Sequence, residues 1–401
     1  MSVSKMENPI MKYNFDEPTN RRDTNQIKWD CKEDELPMWI ADMDFKTALP
    51  IQNALKKKVE EGIYGYTYPY ENFFKAYQDF YLERHHLKLE RSWLVFSSGV
   101  VPTISSSVRK LTKVNDNVVV LSPVYNIFYN SIVNNLRNIL QVPLLYEDGS
   151  YSIDFPSLEK AFQKKETSLM ILCNPANPVS KIWSREELAR IGRLAKENGV
   201  VVLSDEIHAE IVRPGKEYVP FISASPDCMD NCVMAISVTK CFNLAGIQTS
   251  LIVIPNPELR RKVVRQINTD EVAEPNVFAC VAAEAALNDS RDFLDQLREY
   301  LFANRDYARD YIEKNIPDVR LVLGDATYLL WIDVSKLTSD SEAFTGYLRK
   351  KTGLILNDGK EYGGNGNLFV RLNVACQRKK LEDGLQRLQK GISLFKEEKG
   401  L

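Results

Sequence analysis

The sequence predicts an α/β protein with a mostly parallel sheet and a second, smaller α+β domain. Between about residues 93 and 255, short apolar β-branched runs alternate with helical patterns, which is typical of a sheet covered by helices on both faces. After about residue 288 the pattern changes to a long amphipathic stretch, strand-like runs and a final helix. With 401 residues, 44% of them apolar, the chain is long enough for two domains. We predict a large domain over residues 47–288 and a smaller one formed by residues 1–46 and 289–401.

Six apolar runs mark the strands of the large domain. They are, in chain order, LVFSS, NVVVLSP, LMILCNP, GVVVLSDE, VMAISVT and SLIVIP. One crossover helix carries signals at both ends, in SREELARIGRLAKENG. Ser184 lies three residues before Glu187, which is a capping-box pattern, and Gly199 provides a stop. Apolar residues recur at helical spacing between these signals, so one face of this helix is expected to pack on the sheet.

The smaller domain is predicted from the two ends of the chain. RDFLDQLREYLFANRDYARDYIEKN reads as a long amphipathic helix, LLWIDVS and LFVRLNV read as strands, and a terminal helix starts at Arg378. The segment before residue 46 has turn residues, prolines and aromatics but no long period. We therefore expect that segment to wrap onto the smaller domain or across an interface.

Composition argues against several classes of partner. The formal charge of -2 and the pI near 6.1 provide no long-range electrostatic attraction for nucleic acid, and the sequence has no basic block with interleaved aromatics. The seven cysteines are scattered without a CxxC pair, which indicates reduced thiols and no metal site. The start, MSVSKMENPI, lacks signal-peptide blocks, and the apolar runs are too short to span a bilayer. The sequence thus predicts a cytoplasmic protein that acts on small molecules.

Three strands are followed by polar turns of complementary chemistry. The turns lie in LCNPANPVSK (172–181), VVLSDEIHAE (201–210) and SVTKCFNLAG (237–246). Open α/β sheets bind ligands at the carboxyl ends of their strands, so these turns are expected to meet at one site. They offer an amide, an acid and an amine. That set suits pyridoxal 5'-phosphate, an aldehyde that needs an amine to bond it, a carboxylate for its ring nitrogen and donors for its oxygens.

Four residues fill these roles. Lys240 would be the amine, Asp205 the carboxylate under the ring nitrogen and Asn177 the amide donor to the phenolic oxygen. His208 would reach the same oxygen or support Asp205. Each residue also has an ordinary interpretation: a solvated lysine, a helix cap, or proline-rich turn chemistry. Their occurrence together and in this order favours the cofactor site.

The phosphate of such a cofactor needs an anion site. FSSGVVPTISSSVRKL (96–111) predicts a strand, a glycine turn and a helix start, where free backbone N–H groups face an anion. Gly99, Val100 and Val101 would cradle the phosphate, although most such turns bind nothing. Ser237, three residues before Lys240, would add a hydroxyl.

Two aromatic residues and an arginine complete the predicted site. Tyr125, in LSPVYNIFYN, either packs in the core or lies on the ring of the cofactor. Tyr66, in IYGYTYPY, lies in a surface turn or contacts phosphate. Arg371 stands inside the apolar strand LFVRLNVAC and needs an anionic partner, which is either an internal carboxylate or the α-carboxylate of a substrate. We favour the substrate.

Further segments extend these motifs into a family resemblance. They are NFDEPTNRRDTNQIKWD (14–30), LPMWIADMDF (36–45), YGYTYP, SPVYNIF, NPANP, SDEIHAE, SVTKCFNLAGIQTS, ATYLLWID and VRLNVA. In this order they resemble the MalY/PatB-type cystathionine β-lyases, a branch of the class I/II aminotransferase superfamily and of fold-type I pyridoxal-phosphate enzymes. The resemblance spans nearly the whole chain.

The resemblance implies a large domain on a seven-stranded sheet and a homodimer with shared active sites. It implies that Lys240 bonds the cofactor covalently, that Asp205 contacts the ring nitrogen and that Asn177 donates to the phenolic oxygen. Tyr125 would stack on the cofactor ring, and Arg371 would bind the substrate carboxylate. Val100, Val101, Ser237 and, from the neighbouring subunit, Tyr66 would hold the phosphate, and the backbone at Ile40 and Ala41 would line the substrate site. Lys240, Tyr125 and Tyr66 are the catalytic candidates.

Four positions depart from the broader superfamily pattern. His208 stands where aminotransferases usually have a tyrosine, and Gln248 stands where many have a phosphate-binding arginine. Both agree with the lyase branch. Ser180 and Ala326 replace glycines that are common at their positions. These two differences affect the expected local backbone conformation and not the chemistry.

The function that these observations predict is carbon–sulfur bond cleavage. An S-substituted L-cysteine such as L-cystathionine would lose its Cα proton to Lys240 and its thiol from Cβ, and would yield thiol, pyruvate and ammonia. The first rival is an aminotransferase, which shares the proton abstraction. The second is a regulatory protein that binds the cofactor without turnover.

Overall fold

The computed structural model describes residues 12–400. The strands are, in chain order, β1 (Leu36–Pro37), β2 (Leu94–Ser97), β3 (Asn117–Ser122), β4 (Asn138–Pro143), β5 (Leu145–Glu147), β6 (Ser150–Ser152), β7 (Thr167–Cys173), β8 (Val201–Asp205), β9 (Cys232–Ile236), β10 (Ser250–Val253), β11 (Arg320–Leu321), β12 (Leu329–Asp333), β13 (Leu354–Ile355), β14 (Asn357–Asp358) and β15 (Phe369–Asn373).

The α-helices alternate with these strands. They are α1 (Leu49–Glu60), α2 (Glu71–His85), α3 (Val100–Leu111), α4 (Asn126–Val133), α5 (Phe155–Phe162), α6 (Arg185–Glu197), α7 (Phe221–Ala224), α8 (Pro226–Asp230), α9 (Pro257–Thr269), α10 (Ala279–Asp289), α11 (Arg291–Asn315), α12 (Ser341–Thr352) and α13 (Arg378–Lys399). Within residues 12–400, no helix is both long and apolar enough to cross a membrane.

The central sheet has seven strands in the order β2-β10-β9-β8-β7-β3-β4. All neighbouring strands are parallel except β10, which runs antiparallel to both β2 and β9. The predicted α/β class with a mostly parallel seven-stranded sheet is confirmed. The six apolar runs correspond to the six strands other than β4. That strand, NILQVP, lies at an edge and is largely accessible, so it has no continuous apolar run to reveal it.

Both faces of the sheet are buried, and β7 shows how its sequence achieves this. Leu169 and Ile171 pack into one apolar cluster, while Met170 and Leu172 pack into the other. Successive side chains of a strand point to opposite faces, so a continuous apolar run is required where helices cover both. The helices α3, α4 and α9 contribute to the first cluster, and α6 contributes to the second.

The crossover helix α6 begins as its sequence predicts. The Ser184 hydroxyl accepts a hydrogen bond from the Glu187 N–H at 3.1 Å, and the Glu187 carboxylate accepts one from the Ser184 N–H at 2.7 Å. These reciprocal bonds satisfy two backbone donors that the first turn leaves without helical partners. The apolar face of α6 is thereby set against the strands that end at the predicted site.

A second sheet of four strands, β11-β12-β15-β14, is antiparallel. The predicted long helix is α11, and the terminal helix is α13. In the N-terminal segment, β1 pairs in parallel with β13, which joins the two ends of the chain. The domain limits at residues 46 and 288 stay predictions, and residues 1–11 and 401 of the smaller domain lie outside the described part.

Candidate active site

A cavity of about 340 Å³ lies at the carboxyl ends of the central strands. Its lining includes most of the residues that the sequence singles out: Ala41, Gly99, Val100, Val101, Tyr125, Asn177, Asp205, His208 and Lys240. β7 and β8 end at the cavity, and the segments after them and after β9 supply the polar side chains. The parallel sheet therefore brings together residues that are up to about two hundred positions apart in the chain.

Lys240 is the amine of this cavity. Its Nζ donates a hydrogen bond to the Ala41 carbonyl at 2.5 Å, so the segment after β9 contacts the N-terminal segment at this point. Burial lowers the pKa of Lys240 to about 8, although the charge of Asp42 acts in the opposite direction. A lysine with this pKa supplies neutral amine near neutral pH, which a nucleophile or a general base requires.

Asp205, the last residue of β8, is buried with few partners. Its Oδ1 accepts a hydrogen bond from the Ile207 N–H at 3.1 Å, and no salt bridge to Asp205 exists within residues 12–400. Burial raises the pKa of this carboxyl to about 7. A buried carboxylate without a cation is costly, so its place at a cavity suits a ligand that brings a positive charge.

His208 is buried beside the same cavity. Its Nδ1 has no hydrogen-bond partner in the described structure. Burial, with the charges of Lys240 and Arg371, lowers the pKa of His208 to about 3, so the ring is neutral. An unpartnered polar atom at a cavity wall is available to a ligand oxygen.

The strand, the glycine turn and the helix start that the sequence predicts around Gly99 are present. The helix α3 starts at Val100 after Gly99, and no side chain caps its N-terminus. Its first backbone N–H groups have no intrahelical acceptors, so they remain available to an anion. The predicted phosphate ligand Ser237 does not line the cavity, and its hydroxyl donates to the Thr249 carbonyl at 2.7 Å.

Several lining residues were not predicted. They are Ser98, Pro102, Cys173, Ile207, Thr239, Ala245 and Thr249, together with Gln248, which the sequence marks only as a departure from the pattern. The Thr249 hydroxyl is buried, and no residue in 12–400 forms a hydrogen bond with it. Half of these eight residues directly flank predicted ones: Ser98, Pro102, Ile207 and Thr239. A hydroxyl two residues from a predicted phosphate ligand is the signal that could have identified Thr239.

Arg371 lies in β15 and is buried, but it has no carboxylate partner within the described residues. Its guanidinium donates to the side-chain oxygens of Asn177 at 3.2 Å and Asn357 at 2.6 Å, and to the Trp39 carbonyl at 3.2 Å. Its Nε has no partner, and the guanidinium lies 5.0 Å from the centre of the Tyr362 ring. Of the two predicted anionic partners, the internal carboxylate is therefore absent from the described residues, and the substrate α-carboxylate remains.

The remaining predicted residues lie at different places. Tyr125 stands at the start of α4 and lines the cavity. Tyr66 is fully exposed and does not line it. Ile40 lines an adjoining cavity of about 650 Å³, which is lined mostly by residues of the N-terminal segment and which also touches Ala41 and Lys240.

The residues present fit pyridoxal phosphate. Lys240 is an amine of lowered pKa, and the start of α3 has no side-chain cap. Within residues 12–400, Asp205 has no salt bridge and His208 Nδ1 has no hydrogen-bond partner. Each of these unmet requirements corresponds to one chemical group of the cofactor. No group of three or more His, Cys, Asp or Glu residues suited to a metal occurs in residues 12–400.

The architecture and the cavity define an enzyme of the fold-type I class. The chain matches the family described as aminotransferase class I and II over residues 40–388, and it belongs to that family. It is 39% identical to cystathionine β-lyase PatB of Bacillus subtilis (strain 168), with 95% of this chain and 100% of PatB aligned.

Solved structures agree with this assignment. Cystalysin from Treponema denticola, which contains a pyridoxal 5'-phosphate cofactor, superposes with a TM-score of 0.92 at 30% identity, covering 96% of this chain and 99% of cystalysin. The PLP-bound C–S lyase from Staphylococcus hominis superposes with a TM-score of 0.90 at 32% identity, covering 95% of this chain and 98% of the lyase. The predicted family is confirmed.

Proposed function

We propose that this protein is a pyridoxal-phosphate-dependent C–S β-lyase that cleaves L-cystathionine or related S-substituted L-cysteines to thiol, pyruvate and ammonia. The observation that carries the proposal is the position of Lys240, whose amine of lowered pKa lies in one cavity with the unpaired Asp205 carboxylate. The whole-length identity to a cystathionine β-lyase favours this chemistry over transamination.

Different residues bind the substrate and transfer its protons. When bound, pyridoxal phosphate would hold the substrate amino group covalently and accept the electron pair that remains on Cα. Arg371 holds the α-carboxylate with its planar guanidinium, which Asn357 and the Trp39 carbonyl orient. Lys240 Nζ takes the proton from Cα and then, as an ammonium, gives a proton to the leaving sulfur. Tyr125 is the second candidate for that proton donor.

Other residues position the cofactor. Asp205 would hold a proton on the ring nitrogen, and the ring would in turn supply the positive charge that this buried carboxylate lacks. Asn177, whose side-chain oxygen accepts a hydrogen bond from Arg371, would link the ring oxygen to the substrate anchor. The N–H groups at the start of α3 would bind the phosphate.

We further propose a homodimer in which Tyr66 serves the site of the neighbouring subunit. Tyr66 is fully exposed, and Ile63, Tyr64 and Tyr68 beside it are also accessible, which is an unusual concentration of apolar surface on one segment. Sedimentation as a monomer would contradict this assembly.

The seven unpaired cysteines support a reducing compartment, the cytoplasm.

Product analysis tests the lyase. The purified holoenzyme is given L-cystathionine, and pyruvate, ammonia and free thiol are quantified, with a parallel assay for amino transfer to 2-oxoglutarate. We expect the three products in equal amounts without any oxo-acid acceptor. Glutamate formation with no free thiol would make the protein an aminotransferase, and tightly bound cofactor with no product of either kind would favour the regulatory role.

A further inference from the structure

Glu361 is an acidic residue close to the site, and no step of the proposed reaction uses it. It lies in the short helical turn Lys360–Tyr362, between β14 and β15. Its two carboxylate oxygens accept hydrogen bonds from the side-chain amides of Asn126 at 2.9 Å and Asn357 at 3.0 Å. Within residues 12–400, Glu361 forms no salt bridge. Its carboxylate therefore serves as the acceptor for two neutral amide donors and not as one partner of an ion pair.

Asn357 connects this carboxylate to the guanidinium that is proposed to bind the substrate. Its Nδ2 donates to Glu361, and its Oδ1 accepts from Arg371 at 2.6 Å. A guanidinium can only donate hydrogen bonds, whereas an ionised carboxylate can only accept them. Only one of the two orientations of the Asn357 amide therefore satisfies both neighbours. Glu361 holds the acceptor oxygen of Asn357 toward Arg371.

The turn that carries Glu361 is itself attached to the start of α4. The Tyr362 carbonyl accepts a hydrogen bond from the Val124 N–H at 2.9 Å. Asn126, which donates to Glu361, is the first residue of α4 and directly follows Tyr125 of the cavity wall. The position of Glu361 is thus fixed against a segment that lines the cavity.

We propose, on the basis of the proposed lyase function, that Glu361 is a positioning residue for the substrate anchor. It acts through Asn357, whose oxygen orients the Arg371 guanidinium for the α-carboxylate, and it does not touch the substrate. Arg371 also donates to Asn177 and to the Trp39 carbonyl, so the loss of Glu361 misaligns the anchor without removing it. The expected defect is weaker binding of amino acids, with the proton-transfer steps little changed.

Glu361→Met tests the inference, because methionine has a similar length but is only a weak hydrogen-bond acceptor. In the holoenzyme, Kd for L-alanine, which has no leaving group on Cβ, is measured from the change in cofactor absorbance, and kcat and KM are measured with L-cystathionine. We expect Kd and KM to rise about tenfold, the effect of disturbing one hydrogen bond to a charged group, and kcat to change by less than about threefold. Unchanged Kd and KM, with or without a fall in kcat, would overturn the inference.

A double-mutant cycle separates this role from a merely structural one. If Glu361 acts through Asn357, Glu361→Met should raise Kd for L-alanine by less than about twofold in an Asn357→Ala background. A tenfold rise in both backgrounds would overturn the route through Asn357. The matched control is Glu342→Met, which removes an exposed carboxylate paired at 2.7 Å with Lys360 of the same turn and should keep Kd. Glu361→Ala, which removes the same two acceptor oxygens, takes the place of Glu361→Met if that variant does not fold.

The measurement of L-alanine binding does not depend on which bond of the substrate breaks. If product analysis shows transamination and Glu361→Met still weakens the binding of L-alanine, the lyase fails and the positioning role stands. If thiol, pyruvate and ammonia are formed and Kd is unchanged in Glu361→Met, the lyase stands and the positioning role fails.

Discussion

Two buried aspartates in this molecule have opposite surroundings. Asp44, in the N-terminal segment, contacts Arg21 at 2.7 Å, Lys28 at 3.1 Å and the indole N–H of Trp29 at 2.9 Å. Asp205, at the end of β8, accepts one backbone hydrogen bond and has no salt bridge among residues 12–400. Both carboxyls are almost inaccessible. Burial alone would raise both pKa values, yet the charges of Lys28 and Lys380 lower that of Asp44, whereas that of Asp205 rises to about 7.

The difference separates a structural charge from a functional one. The charge of Asp44 is neutralised by the chain itself, so it stabilises the fold of the N-terminal segment. The charge of Asp205 has no salt-bridge partner within residues 12–400, and the charge of Lys240 lowers the pKa of Asp205 too little to offset burial beside the cavity. An incomplete set of partners, rather than burial, is what indicates a ligand.

Removal of Lys240 should have the largest effect. Lys240→Ala should lower kcat for C–S cleavage by about 10³-fold or more, because general acid–base catalysis by a positioned group contributes about 10²- to 10⁴-fold and the same residue bonds the cofactor. It also removes the charge of Lys240, which lowers the pKa of Asp205. The pKa of Asp205 should therefore differ even more from the lowered pKa of Asp44. Thiol release is the measurement, and Lys75→Ala, an exposed lysine of α2, is the control. Rapid turnover by Lys240→Ala would contradict the assigned role.

The structural aspartate should matter for stability. Asp44→Asn leaves Lys28 and Arg21 with one anionic partner fewer in a buried setting, and such a loss costs about 3 kcal/mol. We expect urea denaturation to show this fall in the free energy of unfolding. Asp205→Asn, measured on protein freed of cofactor at pH 8, should show no fall, because it removes a buried charge that lacks a cation. Equal destabilisation by the two substitutions would remove the distinction between these sites.

The smallest expected effect is a dependence on pH. The folded-state pKa of Asp205, about 7, exceeds the unfolded value near 3.8, so the folded protein binds the proton more tightly. The stability that this proton provides is complete below about pH 4 and is lost as pH rises to about 7.

Cofactor-free wild type should therefore lose stability relative to Asp205→Asn between pH 5 and pH 8, by about 2 to 3 kcal/mol. Asp44 has the opposite sign: its pKa is lowered, so its contribution is lost as pH falls through the folded-state value. Parallel curves for wild type and Asp205→Asn would show that Asp205 ionises in the folded protein as it does in the unfolded chain.

Local signals in the sequence were sufficient for much of the fold. The capping box at Ser184 and the 25-residue amphipathic helix α11 appear as predicted, because caps and helical periodicity depend on residues a few positions apart. The edge strand β4 escaped prediction because an accessible strand needs no apolar run. The order of the strands, with β10 antiparallel, depends on pairing between distant segments and has no local signal.

The same division applies to the site. By itself, the sequence determined the set of chemical groups: an amine at Lys240, an acid at Asp205, an amide at Asn177 and a guanidinium at Arg371, each in a recognisable motif. Only the tertiary structure decided which of them have partners. Asn177, not a carboxylate, contacts Arg371, the Ala41 carbonyl contacts Lys240, and Asp205 is left without a cation. Partners are determined by distances across the sheet and the N-terminal segment, and those distances exist only once the chain has folded.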